Sequence, residues 1–171
     1  MGTTGFDVAT GDTGPVSADP RGRADAVRQA VDGLLQIRRV MNAGAAEPEA
    51  VPAEWERRQP VRAVALVLEA AGIPPSAVGE DGRRLGTGYV VRPSEPTGAL
   101  PRGGEPRSVA RVEWLGPPGS GAALQQQAEL QRCARALEAL GWLALAYRGE
   151  RRQHWLEVEP GLPEQSRASG P

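Results

Sequence analysis

Residues 109–160 read VARVEWL GPPGSG AALQQQAELQRCARALEALG WLALAYR GE RRQHWLEVEP. In Val109–Leu115 the apolar character alternates. Ala110, Val112 and Trp114 fall on one side and Val109, Arg111 and Glu113 on the other, the pattern of a half-buried strand. Gly116–Gly121 is a turn. From Leu124 to Gly141 the period is helical. Leu130, Cys133, Ala134, Leu137 and Leu140 share one side, glutamines and charges take the other, and Gly141 closes the helix. Trp142–Arg148 and Arg152–Glu159 are strand-like again and meet around Gly149-Glu150, which predicts a hairpin. A two-residue turn places Leu145 opposite His154 and Leu143 opposite Leu156 on one surface. Trp142, Ala144, Ala146 and Trp155 then share the other surface. A three- or four-residue turn shifts this pairing.

Working outward, Tyr89-Val90-Val91 is a short apolar run between Gly88 and Pro93, followed by the Pro/Gly-rich loop SEPTGALPRGGEP at 94–106. The predicted order is β-β-α-β-β, a four-stranded, mostly antiparallel sheet with the Leu124–Gly141 helix across one face. Two helices precede it. Asp19-Pro20 supplies an N-cap and a first-turn proline. Val27, Val31, Leu34 and Met41, widened by Ala30 and Leu35, predict a helix over 20–43 that stops at Asn42-Ala43-Gly44. Residues 44–53 form a Pro/Ala/Glu linker. A second helix starts between Glu54 and Pro60 and ends at Gly72; the rival is a strand over 62–68, against which stand the alanine-rich composition and the Gly72 stop before Pro74-Pro75. Val61, Val64, Ala65, Leu68 and Ala71 line one face, and Leu66 and Val67 lie off it, so this helix is buried on more than one side. The two helices are expected to cover the sheet face opposite the Leu124–Gly141 helix, over Trp142 and Trp155. The fold class is α+β. Residues 1–18 and 161–171 read as disordered tails, 19–72 as a helical segment and 73–160 as the sheet module.

Composition excludes several chemistries. The 171 residues hold 20 basic side chains, every one an arginine, against 21 acidic ones, one histidine and one cysteine. Without lysine there is no Schiff base, no pyridoxal anchor and no phosphate-loop lysine. One cysteine and one histidine make neither a structural zinc site nor an internal disulfide. No cofactor or metal is expected. A net charge of −1 provides no broad basic field for nucleic acid. No apolar run approaches a bilayer span, and the opening MGTTGFDVATGD lacks the pattern of a signal peptide. A cytoplasmic location without membrane association is the expectation.

Gly116-Pro117-Pro118-Gly119-Ser120-Gly121, between a strand and a helix, resembles the phosphate loop of the AAA+ ATPases. That loop continues with Lys and Ser or Thr, whereas Ala122-Ala123 follows here. The lysine for the terminal phosphates and the hydroxyl for magnesium are both missing, so no nucleotide is expected. Arg148, Arg151, Arg152 and His154 cluster at the hairpin tip beside Trp155. An arginine-rich ribbon of this kind grips phosphates and stacks on bases. The plainer reading is a solvated turn neutralised by Glu150, Glu157 and Glu159. Trp142 and Trp155, on one predicted face, are candidates for a protein interface or for packing under the helices. Trp114 belongs to the core, and Trp55 anchors a helix start. Cys133 reads as a small buried residue. His154 has no neighbouring nucleophile in sequence, and Glu80-Asp81-Gly82 reads as a turn.

From Ala70 to Val158 the chain is similar to small proteins of high-GC actinomycetes, their phages and integrated elements. The likeness rests on AAGIPP, GYVV, RVEWLG, ALEALGW and LEVEP, about half the chain. The missing lysine and the Ala/Val/Leu/Arg bias fit such a genome. These motifs outline a fold skeleton and bring no site residues with them. The sequence reading is thus a non-catalytic, cytoplasmic protein-interaction or accessory protein, with protein partners or self-association. The alternative is nucleic-acid binding through the 148–155 hairpin, and an enzyme comes third.

Overall fold

The computed structural model describes residues 6–16, 18–94 and 109–161. The chain is α+β, with helices α1 (Pro20–Met41), α2 (Glu54–Arg58), α3 (Pro60–Ala70) and α4 (Ala122–Ala139). Strands β1 (Ala77–Val78) and β2 (Arg84–Gly86) form a two-stranded antiparallel ribbon. Strands β3 (Gly88–Pro93), β4 (Ala110–Leu115), β5 (Trp142–Arg148) and β6 (His154–Pro160) form a four-stranded sheet in the order β3-β4-β6-β5. Every pairing in the sheet is antiparallel. The predicted β-β-α-β-β order holds, and its α4 packs on β4, β5 and β6. Ahead of it the structure differs in detail. There are three helices rather than two, and the β1–β2 ribbon turns at Glu80–Gly82, where the Asp81 carboxylate accepts from the Arg83 N–H. Of the expected C-terminal tail only Gly161 is described, and residues 95–106 of the 94–106 loop lie outside the described residues.

α3 does not cover the opposite sheet face. It lies on the same side as α4. Ala63, Val64, Ala65, Val67 and Leu68 join Tyr89, Val112, Leu137, Trp142 and Leu156 in one buried cluster. The reason is the all-round apolar character of α3, whose Ala63–Leu68 run is wholly buried. One side meets the sheet and α4, and Leu66 meets Val27 and Leu34 of α1. α1 is therefore an outer layer over α3.

In α1 the predicted stripe breaks at its end. Met41 is exposed, and Arg38, one turn beyond Leu34, is completely buried. Arg38 grips Glu56, also completely buried, through Nε to Oε2 at 2.8 Å and Nη2 to Oε1 at 2.7 Å. Its Nη1 donates to the carbonyls of Glu49 and Leu140, each at 2.7 Å. Glu56 also accepts from the Ala53 N–H, capping the start of α2. A buried charge is tolerated where a partner and further hydrogen bonds satisfy it, as here.

Residues 6–16, expected to belong to a tail, run along the outer edge of β3. The Thr10 carbonyl accepts from Val91 N–H at 2.8 Å, and the Ala9 carbonyl accepts from the Tyr89 hydroxyl at 2.8 Å. Phe6 lies under the Arg23 guanidinium, 4.2 Å from ring centre. Arg23 makes two bonds to Glu69 on α3. Asp12 accepts from Arg84 and twice from Arg92. The hydrogen bond from Arg92 leads in holding the Asp12 carboxyl below its ordinary range, against the opposing effect of burial. Gly11 has φ +93°, and a Cβ there would come within 2.3 Å of the Tyr89 carbonyl oxygen, so only glycine lets the segment lie this close.

Replacing Arg38 with Met leaves a buried carboxylate without its partner and is expected to cost about 3–5 kcal/mol. The double replacement Arg38→Met/Glu56→Leu removes both charges and is expected to recover much of that loss. Urea unfolding of the three proteins checks this; a single variant as stable as the parent refutes it.

Candidate functional site

The β5–β6 hairpin decides which side chains reach solvent. Arg148 pairs with His154, Tyr147 with Trp155 and Ala144 with Val158. The connection is thus the five residues Gly149–Gln153, not two. The pairing shifts by an odd number of residues, and such a shift turns every side chain of one strand to the other face. Trp142 and Trp155 consequently lie on opposite faces. Trp142 is 1% exposed, inside the core among α3, α4 and the sheet. Only Trp155 remains on the open face. The two tryptophans do not form one interface.

On the open face Trp155 stacks on Tyr147, with ring centres 6.1 Å apart and planes 11° apart. The Arg111 guanidinium sits 4.9 Å from the Trp155 ring centre. Glu157, largely buried, accepts from Arg111 Nε at 3.1 Å, from Trp155 Nε1 at 3.0 Å and from Ser94 Oγ at 2.7 Å. A cation over an indole, with its charge balanced alongside, gives a rigid aromatic platform. Gly149 completes it, because a Cβ there would meet the Trp155 ring at 2.7 Å. Further across the face Arg92 bonds to Glu113 and Asp12.

At the hairpin tip Arg151 (φ 57°) and Arg152 (φ 61°) are both left-handed, and the Gln153 N–H donates to the Glu150 carbonyl at 3.3 Å. Two successive positive φ values closed by such a bond are the pattern of a type I′ turn, which favours Asn-Gly. Gln126 of α4 props the tip, donating to the Arg152 carbonyl and accepting from the His154 N–H. Arg148, Arg151 and Arg152 are exposed, whereas His154 is half-buried.

The edge of the sheet is as informative as its face. β5 is the terminal strand, and Leu145, Ala146, Tyr147 and Arg148 are exposed along it. Among the described residues, no backbone hydrogen bond reaches its outer side. The opposite edge, β3, receives the Thr10 carbonyl and also bonds to Pro74 and Ser76.

The other candidates lie away from this face and edge. Burial pushes the Cys133 thiol up to about 12, which suppresses the nucleophilic thiolate. The Gly116–Gly121 turn is closed internally, with the Ser120 N–H donating to the Pro117 carbonyl. A groove of about 570 Å³ runs between α1 and residues 72–75, walled by Val16, Pro20, Val27, Val31 and Pro74. Its Arg23 and Glu69 are bonded to each other. Among the described residues no group of histidine, cysteine and carboxylate side chains is placed to hold a metal, and no helix is long and apolar enough to cross a membrane. No protein-family model, curated protein or solved structure matches the chain.

Replacing Arg152 with Gly relieves one left-handed non-glycine residue and is expected to stabilise the fold by about 1 kcal/mol. Chemical unfolding reads the difference directly. A loss of stability would show that the tip is not a left-handed turn.

Proposed function

We propose that this chain is a small, non-catalytic protein-interaction protein, an accessory factor of a high-GC actinomycete or one of its mobile elements. The source rests on the lysine-free composition and the motif likeness described above. The interaction reading rests on the outer edge of β5, which is uncovered among the described residues and flanked by Leu145, Tyr147 and the Trp155 platform. An unpaired row of backbone N–H and C=O groups is a template for another strand. The aromatic side chains beside it are of the type that anchors protein interfaces. A cytoplasmic location belongs to the same reading.

The test compares the wild-type chain with Leu145→Lys and Tyr147→Lys, each shown to be folded by circular dichroism. After mild cross-linking in a lysate of the host, a binding protein is expected on the wild type and not on either variant. Binding that ignores both substitutions, or no binding at all, overturns the reading.

A second reading is favoured by one observation. Arg151 and Arg152 are exposed at the tip of the hairpin that carries the Tyr147–Trp155 stack, with Arg148 exposed on its other face, a combination suited to a single-stranded nucleic acid. Such binding is expected to weaken steeply as salt rises and to disappear in Arg151→Ala/Arg152→Ala. Fluorescence anisotropy with a labelled oligonucleotide checks this, and no binding at low salt removes the reading.

A further inference from the structure

We propose that the occupant of the β5 edge is β5 of a second copy of this chain, joined antiparallel about a two-fold axis through Leu145 to make one eight-stranded sheet. This inference rests on the interaction reading above and names its partner.

The backbone sets which groups are available. The Gly161 N–H donates to the Gly141 carbonyl, and the Gly149 N–H donates to the Gln153 carbonyl. These two bonds flank the β5–β6 ladder, in which hydrogen-bonded and non-bonded pairs alternate. The odd-numbered residues of β5 therefore face β6. The even-numbered Trp142, Ala144, Ala146 and Arg148 turn their N–H and C=O groups outward. Pro160, which has no N–H, lies opposite Trp142 at a non-bonded position, as this parity requires.

The sequence of the strand is close to symmetric about Leu145. A two-fold axis there sets Ala144 against Ala146 and Trp142 against Arg148 as hydrogen-bonded pairs. On the open face it sets Leu145 against Leu145 and Leu143 against Tyr147, in the closer non-bonded positions. No charge, proline or register shift interrupts Trp142–Tyr147. Natural edges are usually blunted by one of these devices.

Charge complements the backbone. Arg148 of one copy arrives beside Trp142 of the other, on the helix-bearing face. There α4 has just ended, its last turn holds no basic residue, and Glu138 is exposed. The Leu140 carbonyl at that end is already taken by Arg38, so the exposed Glu138 carboxylate is the group that favours the incoming cation. The two-fold axis makes this contact twice. A net charge of −1 leaves little general repulsion between copies.

The experiment is sedimentation equilibrium on the full chain through the micromolar range. The expected mass is twice the 18.0 kDa of one chain. Leu145→Lys sets two like charges against each other on the axis and is expected to give a monomer with an unchanged circular dichroism spectrum. Should that variant unfold, the surface pair decides the matter. Arg148→Glu is expected to weaken dimerisation about tenfold or more, and adding Glu138→Arg to restore it. A wild-type monomer throughout this range, or a dimer indifferent to both the Leu145 and Arg148 changes, overturns the proposal. Edge-dependent capture of a different protein by such a monomer leaves the interaction reading standing; a monomer that captures nothing loses both.

Discussion

The buried Arg38–Glu56 pair is the constraint on which the arrangement of layers depends. An amphipathic helix alone does not determine where along its length it docks. Arg38 determines it, because its five N–H groups must find acceptors once water is excluded. The guanidinium collects Glu56 at the start of α2, the Glu49 carbonyl in the linker and the Leu140 carbonyl at the end of α4. The last of these is a helix-terminal carbonyl that would otherwise lack an intrahelical partner. One side chain thus joins the outer helix, the linker and the corner from which β5 begins. The anchoring thereby holds the corner from which β5 starts.

The two edges of the sheet show opposite solutions to one physical problem. Unpaired strand edges invite further strands. At β3 the chain supplies its own cover, with residues 6–16 laid along the edge and tied by Asp12 to Arg84 and Arg92. At β5 the described residues contribute no such cover. The difference is local in sequence. Thr10 and Gly11 reach β3 because Gly11 adopts φ +93° and lacks a Cβ that would strike the Tyr89 carbonyl oxygen. The β5 side is built from a hairpin whose own loop, propped by Gln126, lies beyond the strand end rather than beside it.

What the sequence revealed and what it concealed divide along physical lines. Periodicity located β4 and α4 because each turns one apolar face to the core, and short apolar runs between turn residues located β3 and the β5–β6 hairpin. The alternation in Val109–Leu115 and the Leu130–Cys133–Leu137 spacing state this directly. Periodicity could not fix hairpin register, because parity depends on the turn. Gly149-Glu150 suggested two residues where the chain uses five, and that odd difference moved Trp155 away from Trp142. Arg38 was missed because a charged residue in an apolar stripe reads as its boundary. The available signal was its position four residues after Leu34, with Glu56 placed to cap a helix. The N-terminal segment was missed because its bonds are to distant residues, and Gly, Thr and Asp carry no periodic imprint. The β5 edge itself was never visible in the alternation, since an alternating pattern describes faces and says nothing of which strand lies outermost.

The absence of lysine acquires a structural meaning here. Lysine is the residue most often used to guard a strand edge, its long stem and hydrated charge keeping other strands away. This chain must guard its edges with arginine, a planar ion that is more weakly hydrated and readily pairs or stacks. On the open face the described arginines do so: Arg111 covers Trp155 and meets Glu157, and Arg92 meets Glu113 and Asp12. Those pairs neutralise the face but leave the edge alone. Along β5 the only cation is Arg148, at the very end, so the central Leu143–Tyr147 stretch presents apolar side chains and outward backbone groups without a repelling charge. A chain whose cations are all arginine thus places no repelling charge along this stretch, and among the described residues nothing else covers the edge.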